Sequence, residues 1–453
     1  MWVRRHTSVG IVSAITATAV NCDQTPAGLA NGTRCGAFKA TADEKRTRSP
    51  PLPCGTAIGQ SRVEMNTQTI SRTARLGAAG LTLALSIASA WAGPREQAKR
   101  IHDRLAGVPP TAAVLDTMEA QIAGGNAIAA AETAMQNSAF YSVTLKNWAT
   151  PWTNRDGDIF APLNDYTATV IGMIRDDVPF NEVLFGDHLY VGAAGLGIPG
   201  YSMTNNDHYE ALEQNAIDLQ ANLVATTQSA QTDLPAAATA GVMTTRAAAE
   251  AFFIAGTNRA MLRFTLMNHL CRDLEQVADV TRPPDRIRQD VTRSPGGDSR
   301  LFLGNCISCH SGMDPLAQAF AYYNYNEETG RIEYTDGAVH PKYFNNDTNF
   351  PFGFRTPDDS WSNYWRDGRN ALLGWDPAQT GSGQGAKSMG RELAGSQAFA
   401  QCQVEKVFEN VCLRKPGDAA DRAQVDAMTA SLVGSNYRLK TTFAEAATYC
   451  MGD

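Results

Sequence analysis

The stretch Cys306-Ile307-Ser308-Cys309-His310 has two cysteines three positions apart and a histidine directly after the second. On one helical turn, two thiols at this spacing can both reach the vinyl groups of a porphyrin and form thioether bonds. The imidazole of His310 then lies where it can bind the haem iron as the proximal ligand. The stretch therefore predicts one covalently attached haem c, held by Cys306, Cys309 and His310.

A Cys-x-x-Cys pair is also found in redox-active dithiols and as one half of a zinc site. A structural zinc ion takes about four ligands, usually from two such clusters. The sequence contains no second Cys-x-x-Cys pair. The histidine directly after the second cysteine is typical of haem attachment, so haem is the favoured interpretation.

The composition is that of a globular protein. The chain has 453 residues, of which 43% are hydrophobic and 19% charged, with a net charge of −7. This length is sufficient for two domains. The mild acidity argues against a nucleic-acid partner, because nucleic-acid binders usually present a basic face. Outside residues 65–92, no apolar run reaches the length of a membrane span.

Residues 65–92 have the three parts of a secretory signal peptide. Arg72 and Arg75 precede an apolar run over residues 76–88, and Ala90-Trp91-Ala92 gives a small-x-small cleavage signature. The preceding residues 1–64 are rich in Thr, Arg, Pro and Gly, so we expect a disordered upstream extension, with translation starting at Met65. The alternative is an internal membrane anchor with a short cytoplasmic tail. Haem c is attached outside the cytoplasm, so we expect a periplasmic or secreted protein.

Four cysteines remain beyond the signal peptide and the haem pair: Cys271, Cys402, Cys412 and Cys450. An even number in an oxidising compartment predicts two disulfides. Cys402 and Cys412 fall in one predicted helix, which separates them by about 15 Å. The Cα atoms of a disulfide lie within roughly 7 Å, so each of these two should pair with Cys271 or Cys450.

The hydrophobic periodicity predicts a mainly α fold in three parts. These are a helical domain over 93–285, a haem domain over 301–395 with long aromatic loops, and a C-terminal helical module over 396–453. A linker rich in Pro and Gly, 286–300, separates the first two. After the haem motif, Asp314 and Pro315 predict the N-cap and first residue of a new helix. Phe320, Tyr322 and Tyr323 on that helix suit a cover for the porphyrin.

The segment Cys306-x-x-Cys309-His310-x-x-Met313-Asp314-Pro315, followed by a tyrosine-rich stretch, resembles the haem segment of secreted planctomycete-type c-type cytochromes. These are large modular proteins assembled from domains of unknown function. The stretches 107–148, 241–271 and 399–450 are similar to other modules of that family. The resemblance implies export, a covalent haem and a redox role. It names no substrate and adds no catalytic residue beyond the haem ligands.

The sixth iron ligand decides between functions, because an electron carrier needs a saturated iron. The candidates are Met313, Met389, Met428, Met451 and His340. Met389 is favoured because glycines at 381, 383 and 385 predict a flexible loop able to cross the haem edge. His340 is the second choice.

Three functions follow from these alternatives. The first is an exported single-haem electron carrier with an unidentified redox partner. The second is a haem enzyme of the peroxidase or oxygenase type, in which the iron is open and His340 beside Asp336 serves as distal acid or base for a small-molecule substrate. The third is a binding or assembly protein in which the haem mainly stabilises a small domain.

Overall fold

The computed structural model describes residues 92–254, 256–289, 299–343, 345, 347–348 and 351–452. All of them belong to one compact unit, Leu81–Asp453. The predicted upstream extension 1–64 and all but the last residue of the predicted signal peptide lie outside the described residues. The described part is mainly helical, as the sequence predicts. None of its helices combines the length and the apolar composition that crossing a membrane requires.

Three N-terminal helices begin and end at residues that the sequence marks. Helix α1 has Pro94 at its first position and ends at Gly107 in the left-handed conformation, with φ of 71°. The side chains of Thr111 and Asn126 cap the next two helices, each accepting a hydrogen bond from a backbone N–H. The bounds are α1 (Pro94–Ala106), α2 (Ala112–Ala123) and α3 (Ala127–Met135).

The middle of the chain consists of shorter helices and tight helical turns. A π-helical segment, Leu266–Leu270, continues α10 without a break, so that residues 259–270 form one rod. The seven helices are α4 (Lys146–Ala149), α5 (Asp165–Arg175), α6 (Asp207–Gln214), α7 (Leu219–Asn222), α8 (Gln228–Gln231), α9 (Arg246–Phe252) and α10 (Arg259–Thr265). A second π-helical segment, Phe140–Leu145, precedes α4.

The described strands form three two-stranded antiparallel pairs, each local to one part of the fold. Leu189 pairs with Thr226, Tyr323 with Tyr334, and Ser360 with Gln384. The strands are β1 (Leu189–Gly192), β2 (Leu223–Thr226), β3 (Tyr323–Asn326), β4 (Arg331–Tyr334), β5 (Ser360–Ser362) and β6 (Ser382–Gln384). Strands β4 and β5 lie within the stretch 301–395, for which the sequence predicts long aromatic loops.

The described residues of the second half form six helices, and the last three lie in the predicted C-terminal helical module 396–453. These helices are α11 (Ser299–Asn305), α12 (Ile307–Ala317), α13 (Gly385–Ala394), α14 (Gln397–Cys412), α15 (Ala419–Gly434) and α16 (Leu439–Tyr449). Ser396 caps α14 and Asp418 caps α15 through their side-chain oxygens. Short 3₁₀ turns cover residues 150–153, 180–184, 318–320, 364–366 and 368–373.

Two disulfides fasten α14 at both ends. Cys271 bonds to Cys402, and Cys412 bonds to Cys450. The predicted pairing rule is therefore confirmed, since neither Cys402 nor Cys412 bonds to the other. The first bond ties α14 to the end of the 259–270 rod, and the second ties it to α16.

One large hydrophobic cluster unites the described chain, and it draws residues from 93–285, 301–395 and 396–453 alike. Part of the predicted linker 286–300 packs against the rest of the protein. Ile287, Arg288 and Gln289 are buried, and the backbone of Gln289 donates to the carbonyl of Phe354. Burial of this segment against residues 354 and 302 removes the freedom that a linker needs.

Candidate haem site

The haem motif lies where α11 meets α12. Cys306 joins the two helices: its N–H donates to the carbonyl of Phe302, and its own carbonyl accepts from His310 at 3.2 Å. Cys309 and His310 therefore occupy the first turn of α12. The two cysteines and the histidine lie on adjacent positions of one helical turn, as haem attachment requires.

Both motif cysteines are free thiols, whereas the other four described cysteines are paired. Both are half-buried, and the Cys309 thiol lies 3.6 Å from the carbonyl oxygen of Leu274. Burial raises the pKa of the Cys309 thiol. A thiol in this state is uncharged and inserted into an apolar setting, which fits a group that forms a thioether to a porphyrin edge.

The imidazole of His310 is oriented by a buried carboxylate one turn along the helix. Its Nδ1 lies 3.1 Å from Oδ1 and 3.2 Å from Oδ2 of Asp314. The His310 side chain is 18% exposed and the Asp314 side chain 0%. An ionised carboxylate can only accept hydrogen bonds, so the ring proton belongs on Nδ1. The lone pair is then on Nε2, which has no hydrogen-bond partner among the described residues.

Asp314 is ionised because two arginines lie close to it. Burial alone would raise its pKa, but the charges of Arg259 and Arg288 and the hydrogen bond from His310 outweigh burial and hold the pKa well below its usual range. Arg259 binds the carboxylate through two hydrogen bonds, Nε–Oδ1 at 2.6 Å and a second to Oδ2 at 2.9 Å. This bidentate pair fixes the carboxylate plane and with it the plane of the histidine ring.

The structure corrects the role predicted for Asp314. Helix α12 runs without a break from Ile307 to Ala317, with Pro315 inside it, so Asp314 is not an N-cap. The helix tolerates Pro315 in this position although proline removes one backbone donor. The separation of four residues between His310 and Asp314 places both on one helix face. The four-residue spacing is the signal from which this hydrogen-bonded pair could have been predicted in the sequence.

Aromatic and apolar side chains border the motif. The ring of Phe302 meets the His310 ring edge to face, with centroids 4.9 Å apart. Phe302 and Ile287 form a small buried cluster against which Cys306 packs. Large apolar side chains on nearby segments are exposed, which is unusual when several occur together. These are Val280, Leu301, Leu303, Phe352 and Leu372, with exposed fractions of 73%, 46%, 49%, 99% and 92%.

One of the segments that carry these exposed side chains contacts α12 directly, and a second contacts the first. Asp279, next to Val280, donates its N–H to the carbonyl of Ser308 at 2.8 Å. Asn370, near Leu372, donates its side-chain amide to the carbonyl of Val277. Val280 therefore lies on a segment that contacts the motif itself, and an exposed apolar side chain there suits contact with a porphyrin edge.

The aromatic residues predicted to cover the porphyrin have another role. Phe320 and Tyr323 are almost completely buried and pack on Phe253, with ring centroids 5.5 Å from it in both cases. Tyr322 is 8% exposed and belongs to a small cluster with Tyr343. The predicted helix over 316–323 is wrong beyond residue 320, because Tyr323 begins β3. These rings pack in the hydrophobic interior of the protein.

Met389, the favoured sixth ligand, lies in a helix rather than a flexible loop. Residues 382–384 form strand β6, and α13 begins at Gly385, so Met389 is in the second turn of α13 and fully buried. The next residue, Gly390, touches the carbonyl of Leu184 so closely that a Cβ would lie 1.9 Å from its oxygen. The predicted mobile loop is wrong, because this contact and the strand pairing fix the segment.

His340, the second choice, has both ring nitrogens engaged. Nε2 lies 3.2 Å from a carboxylate oxygen of Glu333, and Nδ1 accepts the backbone N–H of Lys342 at 3.2 Å. Glu333, not Asp336, is therefore its acidic neighbour. Met313 and Met428 are buried in the core at 4% and 1% exposure, and Met451 packs at its edge. The structure presents none of these five side chains as a free ligand.

The glycine after the motif brings a tryptophan against the haem helix. A Cβ on Gly312 would lie 2.0 Å from Nε1 of Trp365, which is completely buried. The described residues include no group of three or more His, Cys, Asp or Glu side chains gathered as a metal site. Comparison of this chain with protein-family models, with curated proteins and with solved structures finds no match in any of the three.

Proposed function

We propose that this protein is a c-type cytochrome that carries one haem, covalently attached through Cys306 and Cys309 with His310 on the iron. Its function is electron transfer outside the cytoplasm, after export by the segment 65–92. The observation that carries the proposal is the His310–Asp314–Arg259 array. It puts a lone pair on Nε2 of His310 and holds the ring in one orientation, which is the preparation that a metal-binding histidine needs.

The chain's own residues would lower the midpoint potential of a bound haem. Bound haem supplies a one-electron couple between ferric and ferrous iron. The Asp314 carboxylate draws the Nδ1 proton and makes His310 a stronger electron donor, which favours the ferric state. The charge on Asp314 is itself neutralised by Arg259 over a bidentate contact, so the array is stable inside the protein.

A haem enzyme is the second candidate, and the positions of Met389 and His340 favour it. Neither of these side chains is presented as a sixth ligand, and a buried carboxylate on the proximal histidine suits an iron that binds a small molecule on its other face. The reduced protein distinguishes the two functions. An electron carrier with a saturated iron gives the same absorption spectrum with and without carbon monoxide, whereas an open iron gives a shifted one.

Covalent attachment is tested first, with the full chain matured in a host that attaches haem c. Denaturing gels stained for haem peroxidase activity should show a band for the wild type. Cys306→Ala and Cys309→Ala should reduce the stain, and the double variant should abolish it. A matched control is the Cys412→Ser, Cys450→Ser double variant, which also removes two cysteines and should keep the stain. A wild type without stain under these conditions would refute the proposal.

A further inference from the structure

A cavity of about 1080 Å³ lies among segments that do not include the haem motif. Its walls are the turn at residues 374–379, the start of α14, the last turns of α15 and the turn that follows α15. Small-molecule sites usually measure roughly 300–1,000 Å³. The cavity is therefore large enough for a ligand of several rings.

Three aromatic side chains line the cavity, those of Phe185, Trp375 and Tyr437, and the polar atom of Trp375 is turned away from it. The indole N–H of Trp375 donates to the carbonyls of Trp365 at 2.8 Å and of Asn370 at 3.1 Å. Its hydrogen-bonding capacity is thereby used inside the protein, so the ring offers only its apolar carbon surface to the cavity. Such a fixed ring is a platform for stacking.

The second ring, that of Tyr437, is placed by a strained backbone. Asn436 and Tyr437 both have positive φ, 58° and 59°. Positive φ is uncommon for residues other than glycine and is a clear outlier for a bulky aromatic one. Two hydrogen bonds hold the turn: the N–H of Tyr437 donates to Leu432, and its carbonyl accepts from Phe180 at 3.0 Å. Backbone strain of this kind concentrates at binding sites.

The polar part of the lining is dominated by neutral amides. Asn181, Gln397 and Gln401 all line the cavity. The side-chain oxygen of Asn181 is buried and has no hydrogen-bond partner among the described residues. The amide groups of Gln397 and Gln401 offer further donors and acceptors of the kind that pair with ligand hydroxyl groups.

The charges in the lining argue against an anionic ligand. Asp376 and Asp426 contribute two carboxylates, and Arg391 contributes one cation. The Arg391 guanidinium already lies over the ring of Phe185, 5.3 Å from its centroid. The net negative lining therefore disfavours phosphate and sulfate groups.

The wall that carries Trp375 is rigid before any ligand arrives. Arg366 donates to both carboxylate oxygens of the buried Glu392 at 2.7 Å and also to the carbonyl of Asp376. The N–H of Gln397 donates to the carbonyl of Gly374 at 2.8 Å. A wall fixed in this way loses little entropy when a ligand binds.

We propose that this cavity binds a neutral oligosaccharide. The apolar C–H faces of sugar rings fit the rings of Trp375 and Tyr437, and the sugar hydroxyls fit the amide side chains of the lining. The proposal is independent of the haem function, because no residue of the haem motif lines the cavity.

The test is isothermal titration of the purified full chain with four probes: cellohexaose, xylohexaose, mannohexaose and chitohexaose. At least one should bind saturably with one site per chain. Trp375→Ala should weaken that binding at least tenfold by removing the stacking platform, and Trp375→Phe should retain part of it. Asn181→Ala tests the same site without removing a large side chain, and it should also weaken binding. Phe160→Ala, which alters an exposed aromatic side chain outside the cavity, is the matched control and should bind as the wild type does.

Three results would overturn the proposal. The first is the absence of saturable heat with all four probes. The second is binding that survives both Trp375→Ala and Asn181→Ala in variants that melt at the wild-type temperature. The third is saturable binding of tetramethylammonium that depends on Trp375 while the sugars do not bind, which would make the site one for organic cations.

Discussion

His310 and Asp314 lie one helical turn apart and share a hydrogen bond between Nδ1 and Oδ1, 3.1 Å long, in a setting where the carboxylate is completely buried. The bond matters in two ways. It assigns the ring proton to Nδ1, and it makes Nε2 the nitrogen that can bind iron. Most of what we expect of the site depends on this pair.

The first prediction is that Asp314→Asn raises the haem midpoint potential. An amide accepts a weaker hydrogen bond from Nδ1 than a carboxylate does. His310 then donates less electron density to the iron, and the ferrous state is stabilised relative to the ferric state. We expect an increase on the order of 60 mV, which for a one-electron couple is a tenfold change in the equilibrium constant. Redox titration followed by absorption measures it.

The control for this prediction is Asp314→Glu, which keeps the charge and should restore most of the wild-type potential. A purely structural role would lower the melting temperature of both variants without moving the potential of either. An unchanged potential in a folded Asp314→Asn variant would show that the carboxylate does not act on the iron.

The second prediction concerns the contact between Gly312 and Trp365. Gly312→Ala places a Cβ 2.0 Å from a completely buried indole. A rigid ring in a packed core cannot move easily, so we expect the free energy of unfolding to fall by about 1–3 kcal/mol. Denaturant unfolding monitored by circular dichroism measures the change.

Gly304→Ala is the matched control, because Gly304 is also helical and a Cβ there would meet nothing within 4 Å. Alanine is the better helix former by roughly 0.5–1 kcal/mol, so this variant should be as stable as the wild type or slightly more stable. Equal destabilisation by the two substitutions would mean that the Trp365 contact is not the cause.

The third prediction is a difference between the two disulfides. In the chain-entropy description, a bond that closes a longer loop restricts the unfolded chain more. Cys271–Cys402 spans 131 residues and Cys412–Cys450 spans 38. Replacing both cysteines of a pair by serine should cost about 5 kcal/mol for the first pair and about 4 kcal/mol for the second. Urea unfolding of the two double variants measures both, and a larger loss from the shorter loop would contradict the entropic order.

The fourth prediction is a pH dependence caused by Lys342. Burial lowers the pKa of Lys342 from 10.5 to about 7, although its Nζ donates to the side chain of Asn258. Between these two pH values the unfolded chain binds more protons than the folded one, so the Lys342 contribution to stability rises with pH in this window. The slope is at most about 1.4 kcal/mol per pH unit.

Lys342→Met removes the titrating amine. The difference between wild type and variant therefore isolates the contribution of Lys342 to the pH dependence of the free energy of unfolding. Unfolding free energies of both proteins at pH 6 and pH 9 give the comparison. The wild type should gain stability relative to the variant on going to pH 9. A difference that does not change with pH would show that Lys342 is not desolvated.

The sequence predicted the helices of both ends of the chain because their signals are local. Thr111, Asn126, Ser396 and Asp418 are good caps, and each caps the predicted helix. The motif Cys306–His310 also fell on a helix as expected. The mainly α class and the disulfide rule follow from the same local patterns.

The predictions that are wrong concern residues whose structure depends on contacts with segments distant in the sequence. Asp314 directly precedes Pro315, which is typical of an N-cap. In the structure its carboxylate is bound by Arg259, which lies 55 residues earlier in the chain. The glycines at 381 and 385 suggested a loose loop, but both have positive φ, 70° and 72°, and make the turns that flank strand β6. Nothing local to Met389 reveals that Leu184 fixes its helix.

Trp365 has neighbours in both of the sites described above. Its indole lies against Gly312 on the haem helix, and its carbonyl accepts the N–H of Trp375 in the cavity wall. Where one ligand changes the affinity or potential at a second site, the linkage is reciprocal. A sugar that binds tenfold more tightly to one oxidation state of the haem than to the other must shift the midpoint potential by about 59 mV. A titration of the potential against sugar concentration therefore reports whether this tryptophan makes the protein a sensor of what occupies its cavity.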